Sequence, residues 1–418
     1  MLAQVREGRP FEAALDQAVQ GLPENDRRLA HEMAAGVLRR QSALDARLGP
    51  LVPRGWEAVA PVLRDVLRLG AFQLTALDRV PPHAAVDTSV TLAKETGGPR
   101  AGGFVNAVLR RLGARETPAE SAGTPAERLA AAHSHPVWLV ERWLARYGLE
   151  DTERLLRWND TRPRLTLQAA REPLEALEER WRAAGIAVER AAHDAGLVTD
   201  RRRPQDLPGY AEGAFLVQDP AQALLARYAD LPRGATLYDA SAAPGGKTIA
   251  LGRSADRVVA GDVNRSRVRR LAENLARAGS GRELPIVADA RRPPLRQVNA
   301  VLVDAPCLGT GTFARHPDAR GRVTAAALES LVAKQQELLE GAAAAVAPGG
   351  LLIYSTCSLE PEENGDQVER FLARHPEFRR EPSSTVPPAL LSPKGDLMVL
   401  PQRDGMDGAY GARLRRVS

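Results

Sequence analysis

The chain has 418 residues, 44% apolar and 26% charged, which suits a soluble protein with material for two or three folding units. No stretch approaches the apolar length of a membrane-spanning helix, and Arg6, Glu7 and Arg9 stand where a secretory leader would be apolar, so a cytoplasmic protein without membrane association is expected. The two cysteines, Cys307 and Cys357, exclude a disulfide framework, a thiolate zinc site would need other ligands besides them, and no metal is expected. A net charge of +5 and a pI near 9.5 lean toward a polyanionic partner. The lean is modest, because only four of the 57 basic residues are lysine, a skew that genomic base composition also produces.

From Arg6 to about Arg115 apolar residues recur at helical spacing, as in Leu29 to Leu38 and Val62 to Phe72, with proline and glycine clusters between them. This predicts an all-α domain over residues 1–125. Pro118, Gly123 and Pro125 among small polar residues suggest a linker up to Pro136. A mixed region follows over 136–213, with a helix at Val137–Tyr147, a strand at Arg164–Ala169 and a helix at Pro173–Ala184. Its arginines, Arg162, Arg164, Arg201, Arg202 and Arg203, are candidate phosphate contacts, against an equal expectation of solvated loop charge.

Beyond Gly213, over 214–418, short apolar strands alternate with helices. Thr236–Asp239, Arg257–Ala260, Leu284–Val287, Ala300–Val303 and Gly350–Tyr354 read as strands, with helices at Asn264–Ala278 and Thr324–Val346. Such alternation predicts an α/β domain with a doubly wound, mostly parallel sheet, whose ligands lie beyond the carboxyl ends of the strands.

Those ends carry the unusual residues. The first strand runs into Ser241, Ala242, Ala243, Pro244, Gly245, Gly246 and Lys247, a loop that lets backbone approach a ligand but lacks the first glycine of a phosphate-binding P-loop. Asp262 ends the second strand, placed to accept hydrogen bonds from ribose hydroxyls. Asp289 follows the third and could take an adenine amine, with a turn role as the alternative. Asp304-Ala-Pro-Cys307 ends the fourth and Ser355-Thr-Cys357-Ser358 the fifth.

Buried inert thiols are the ordinary reading of lone cysteines. Two of them at strand ends beside polar residues, in a chain with no others, point to chemistry. Carbon 5 of cytosine reacts with a methyl donor only after a thiolate adds to carbon 6, and the reaction then needs support for the ring and a base. Cys307, Cys357 and Asp304 supply that set; the residues alone leave open which sulphur attacks.

At these motifs the chain resembles the RsmB/Sun family of bacterial 16S ribosomal RNA cytosine-C5 methyltransferases, over nearly its whole length. Asp78 to Asp87 and Gly103 to Arg111 are similar to that family's NusB-like RNA-binding domain, and Arg157 to Pro163 and Gly213 to Gln222 to its RNA-binding extension. Ala242 to Thr248, Asp304 to Cys307 and Ser355 to Ser358 match its cofactor and cysteine motifs. The resemblance implies a Rossmann-like methyltransferase domain of 214–418. It implies S-adenosylmethionine as methyl donor, held by the glycine loop, Asp262, Asp289 and Asp304, with Lys247 turned toward the target base. Cys357 is then the nucleophile and Cys307 assists product release, on 16S rRNA free or in an assembling subunit, by a monomeric enzyme. Serine at 241 and leucine at 308 depart from the usual cysteine and small polar residue, and Gly405 to Arg413 lacks one aromatic.

Three other readings remain: methylation of another RNA such as tRNA, a P-loop nucleotidase, and a non-catalytic RNA-binding factor suggested by the helical domain alone.

Overall fold

Proline opens helices here more than it separates them. Pro61, Pro82 and Pro99 each sit at the first position of a helix (Pro61–Ala76, Pro82–Gly97 and Pro99–Gly113), where the missing N–H has no partner to lose. The computed structural model describes residues 1–114, 123–199 and 203–417. They divide into a first unit of 1–161 with 313–323 and a second of 162–312 with 324–418. Arg115, Pro118, Arg201 and Arg202 lie outside the described residues. No described helix is long and apolar enough to cross a membrane.

The first unit is helical throughout, around Val66, Leu67, Phe72, Val105 and Leu109. Gly36 lets helix Glu24–Arg39 close on that core, since a Cβ there would lie 2.0 Å from the Phe72 ring. The linker expectation fails where it can be tested: residues 125–133 form a helix. Thr124 accepts from Glu127 N, and the Glu127 side chain accepts from Thr124 N, a reciprocal cap that overrides the loop-like composition. The helix predicted to end at Tyr147 breaks at Gly148, with φ 76°, and a second helical run continues to Asp160.

Segment 313–323 completes this unit's interior. Arg320, 2% exposed, donates to Asp160 Oδ1 at 2.9 Å, to the carbonyls of Arg39 (3.0 Å) and His133 (3.1 Å), and to that of Asn159. Phe313 packs with His135 and Trp143, ring centroids 5.7 and 6.3 Å away.

In the second unit β1 (Leu165–Ala169), β2 (Val188–Arg190), β3 (Leu197–Thr199) and β4 (Phe215–Val217) form an antiparallel sheet in the order β2-β3-β1-β4. Helix Leu174–Ala183 covers it, driving Trp181 edge-on against Phe215. Arg164, half exposed, pairs with Glu189 at 2.8 Å on the surface of this sheet.

The larger sheet holds β5 (Thr236–Asp239), β6 (Arg257–Asp262), β7 (Glu283–Val287), β8 (Val298–Asp304), β9 (Val346–Thr356), β10 (Phe378–Arg380), β11 (Leu397–Val399) and β12 (Ala409–Arg416). Its path is β10-β12-β9-β8-β5-β6-β7, with β11 also on β12. Pairings from β7 to β9 are parallel and those of β12 antiparallel. Val301, Val303, Leu352 and Tyr354 face one layer, and Ala300, Leu302, Leu351 and Ile353 the other. Both faces are covered, which is why these strands read as unbroken apolar runs. The strand order reverses at β5, where β6 and β8 lie on its two sides, and a cleft opens beyond the carboxyl ends at such a point.

Candidate active site

Across the sheet from β7 to β9 the predicted residues follow one another in space: Asp289, Asp262, the glycine loop, Asp304 with Cys307, and Cys357. The loop after β5 is fixed by backbone and by Asp239. Ala242 N donates to Gly261 O at 2.8 Å, and Gly245 takes φ 110°, a conformation glycine alone adopts readily. Asp239 accepts from Thr248 Oγ1 at 2.7 Å and from Ser241 N at 3.4 Å. Its carboxyl is 1% exposed, and burial pushes its pKa up to about 6. Ala242 and Ala243 are buried beneath the loop and Pro244 is exposed.

Lys247 binds no phosphate-like cradle. Its Nζ donates to Asp304 Oδ2 at 2.7 Å, while Asp304 Oδ1 accepts from Ser355 Oγ at 2.8 Å. Burial works against the Lys247 charge, but Asp304 and then Cys357 hold its pKa above the usual lysine value. The pair sits at the reversal between β5 and β8.

Asp262 is 3% exposed and accepts from Asn264 N at 2.9 Å, with Arg267 3.3 Å from its other oxygen. Asp289, two residues past β7, is gripped on both oxygens by Arg291 at 2.7 to 3.1 Å, which holds its pKa below the usual range. An adenine amine there would share the carboxylate with that guanidinium.

Parallel pairing of β8 and β9, in the register Asp304 to Ser355, delivers the cysteines side by side. Cys307 Sγ and Cys357 Sγ are 3.4 Å apart. Backbone bonds zip the loops together, Ala305 N to Ser355 O at 2.8 Å and Gly311 N to Cys357 O at 3.0 Å. Gly311 must be glycine, because a Cβ would meet Gly408 Cα at 2.7 Å and Cys357 O at 2.8 Å. Cys357 beside it and then burial push the Cys307 thiol well above its usual pKa. Two adjacent sulphurs do not ionise together.

Several residues escaped sequence reasoning. Glu363, fully buried, accepts from Leu308 N at 3.0 Å and from Gln335 Nε2 at 2.9 Å. The run of acids after the Thr-Cys-Ser motif (Glu360, Glu362 and Glu363) was a readable signal; Gln335 offered none. Gln218 Nε2 would stand 3.0 Å from a Cβ at Gly246, and its buried Oε1 has no hydrogen-bond partner. Leu308 itself is buried.

Comparison with known proteins adds three profile matches: "16S rRNA methyltransferase RsmB/F" over residues 228–415, "NusB family" over 1–114, and "Methyltr_RsmF/B-like, ferredoxin-like domain" over 135–204. The chain is 35% identical to ribosomal RNA small subunit methyltransferase B of Thermus thermophilus, covering 100% of this chain and 96% of that one. Among solved structures it is similar to PH0851, with TM-score 0.83, 26% identity and coverage of 98% and 96%. A fold likeness extends to NSun6 from Pyrococcus horikoshii, solved with SFG, at TM-score 0.60 and 19% identity over 68% of this chain and 98% of that one.

Proposed function

The chain belongs to the RsmB/F family of 16S rRNA methyltransferases, and on that premise we propose that it methylates carbon 5 of a cytosine in 16S rRNA through a cysteine-linked intermediate. The observation that carries this reading is the pair of sulphurs 3.4 Å apart, beside a lysine–carboxylate pair at the strand reversal.

The residues present suit S-adenosylmethionine. The buried Asp262 carboxylate offers acceptors for vicinal hydroxyls, the glycine loop brings backbone close, and the unpartnered Gln218 Oε1 beside Gly246 can take a donor from the ligand. When bound, the donor supplies an electrophilic methyl group. Asp289 and Asp304 complete the proposed set, with Ser241 to Lys247 as its floor.

The chain's own residues account for the rest. Lys247, held by Asp304, stabilises the Cys357 thiolate and faces the base; Asp304 keeps lone pairs free for the cytosine amine. The thiolate adds to carbon 6, and carbon 5, now enamine-like, takes the methyl. The carbon-5 C–H bond then breaks, its proton passing to the sulphur pair and its electrons restoring the carbon 5–carbon 6 double bond, while the sulphur–carbon bond breaks and its electron pair returns to Cys357. Cys307, a thiol one contact away, moves a proton within the sulphur pair at that stage. The helical domain of 1–125 and the extension of 136–213 are assigned to holding RNA. Bisulfite mapping of 16S rRNA from cells with and without the gene tests the proposal: one cytosine should lose its protection. An unchanged map would reject the rRNA target.

A further inference from the structure

The two sulphurs are equivalent in chemistry and adjacent in space, so something must decide which one attacks. We propose that Glu363 is the positioning residue that makes this choice: its buried carboxylate pins the loop carrying Cys307 and holds that sulphur as a thiol, leaving Cys357 as the thiolate. The proposal rests on the methyltransferase reading above.

The geometry supplies the pinning. Both Glu363 oxygens lie within reach of Leu308 N, at 3.0 and 3.3 Å, on the residue directly after Cys307. Gln335 Nε2 bridges the same carboxylate to Pro306 O, each at 2.9 Å, so the peptide groups on both sides of Cys307 are tied to one anchor. Tyr354 donates to Glu363 O at 2.7 Å, fixing the anchor to β9, whose end carries Cys357.

The charges around the pair are arranged asymmetrically. On the Cys357 side stands the Lys247 ammonium, whose partner Asp304 leaves it close enough to feel that sulphur. On the Cys307 side stands Glu363, which adds to the effect of Cys357 and burial in keeping the thiol protonated. Tyr354 is also near Cys307, but burial raises its pKa well above the ordinary value, so it stays neutral. Glu363 itself is raised by burial and, less, by the neighbouring Glu360, and is restrained by its donors Ser358, Leu308 and Gln335. A negative charge on one side and a positive charge on the other divide one proton between two thiols in a fixed sense.

The chain has only two cysteines, so Cys357→Ala leaves Cys307 as its sole thiol, and its titration can be followed by the pH dependence of iodoacetamide alkylation without any RNA. Adding Glu363→Gln should speed alkylation at neutral pH, by on the order of threefold, and leave the high-pH plateau unchanged. Glu363→Asp, which keeps the charge, should retain the parental profile. In the otherwise native chain, Glu363→Gln should shift alkylation from predominantly Cys357 toward both cysteines, read by peptide mapping. No change at neutral pH, a rise in the plateau as well, or equal effects of Gln and Asp would each overturn the proposal. Should Glu363→Gln lose its near-ultraviolet circular dichroism, Glu363→Asp alone carries the test, since a retained charge must retain the profile. These readouts need neither substrate nor turnover, so failure of the methylation reading leaves them interpretable.

Discussion

Asp239 gives the clearest link between this site and stability. The perturbation is Asp239→Asn, at a carboxylate 1% exposed whose pKa burial raises from 3.8 to about 6. Between those values the folded chain keeps a proton that the unfolded chain has released. Stability therefore falls as pH rises through that window and stays at its lower level above it. Two pH units correspond to a penalty of about 3 kcal/mol at neutral pH. Asparagine has no charge to bury, but its amide must turn toward one of two donors. Turned to Ser241 N, whose contact is already long at 3.4 Å, it keeps the Thr248 bond at 2.7 Å. The lost bond costs about 1 kcal/mol, leaving a net gain of about 2 kcal/mol at neutral pH. The assay is unfolding of the second unit followed by pH, because two units need not melt together. The gain should vanish as pH falls below about 4, where both states of the native chain are protonated. A variant less stable at neutral pH, or a difference that ignores pH, would refute the reasoning.

Two further outcomes follow from single contacts. Asp262→Ala should weaken S-adenosylmethionine binding by about 1.5–3 kcal/mol through lost charge-assisted bonds, and unchanged affinity by calorimetry would remove Asp262 from the site. Arg320→Met should destabilise the first unit by about 3 kcal/mol, because it removes the buried donor shared by Asp160 Oδ1 and three carbonyls, and leaves Asp160 with His133 as its remaining partner. A thermal midpoint unchanged within error would show that the guanidinium's desolvation offsets its bonds.

The parallel half of the sheet was legible because its strands are buried on both faces and end in motifs. Asp304, Cys307 and Cys357 could be placed at strand ends from pattern alone. The antiparallel half was not. β10 and β11 are three residues long, too short for a period, and β12 carries Arg413, which reads as polar yet is 4% exposed. Its guanidinium reaches Glu381 at 3.3 Å, a partner 32 residues away. The same limit hid the Lys247–Asp304 pair, the Glu363 anchor and the place of segment 313–323 in the helical unit. Each depends on strand register or tertiary pairing, which spacing does not encode. The linker expectation fails for a local reason: the Thr-x-x-Glu cap at 124–127 outweighs the loop-like composition around it.

The assignment of the two cysteines can be decided by what stays attached to RNA. Cys357→Ala has no sulphur to add to carbon 6, so carbon 5 is never activated; neither methylation nor an adduct should form. Cys307→Ala leaves the addition intact but removes the thiol that stands 3.4 Å from the leaving sulphur. Without it the proton transfer within the pair is lost, and expulsion of Cys357 should become the slow step. The methylated base then stays bound, giving a protein–RNA species that survives denaturing electrophoresis. Both variants look inactive in a turnover assay, so rate does not separate them, and the adduct does. Glu363→Gln belongs to the same experiment, since a Cys307 that no longer keeps its proton should release RNA more slowly than the native chain. If Cys357→Ala traps RNA and Cys307→Ala does not, the order of attack is reversed. The Lys247 charge would then be stabilising the sulphur that does not react, and the electrostatic argument for the pair would fall with the assignment.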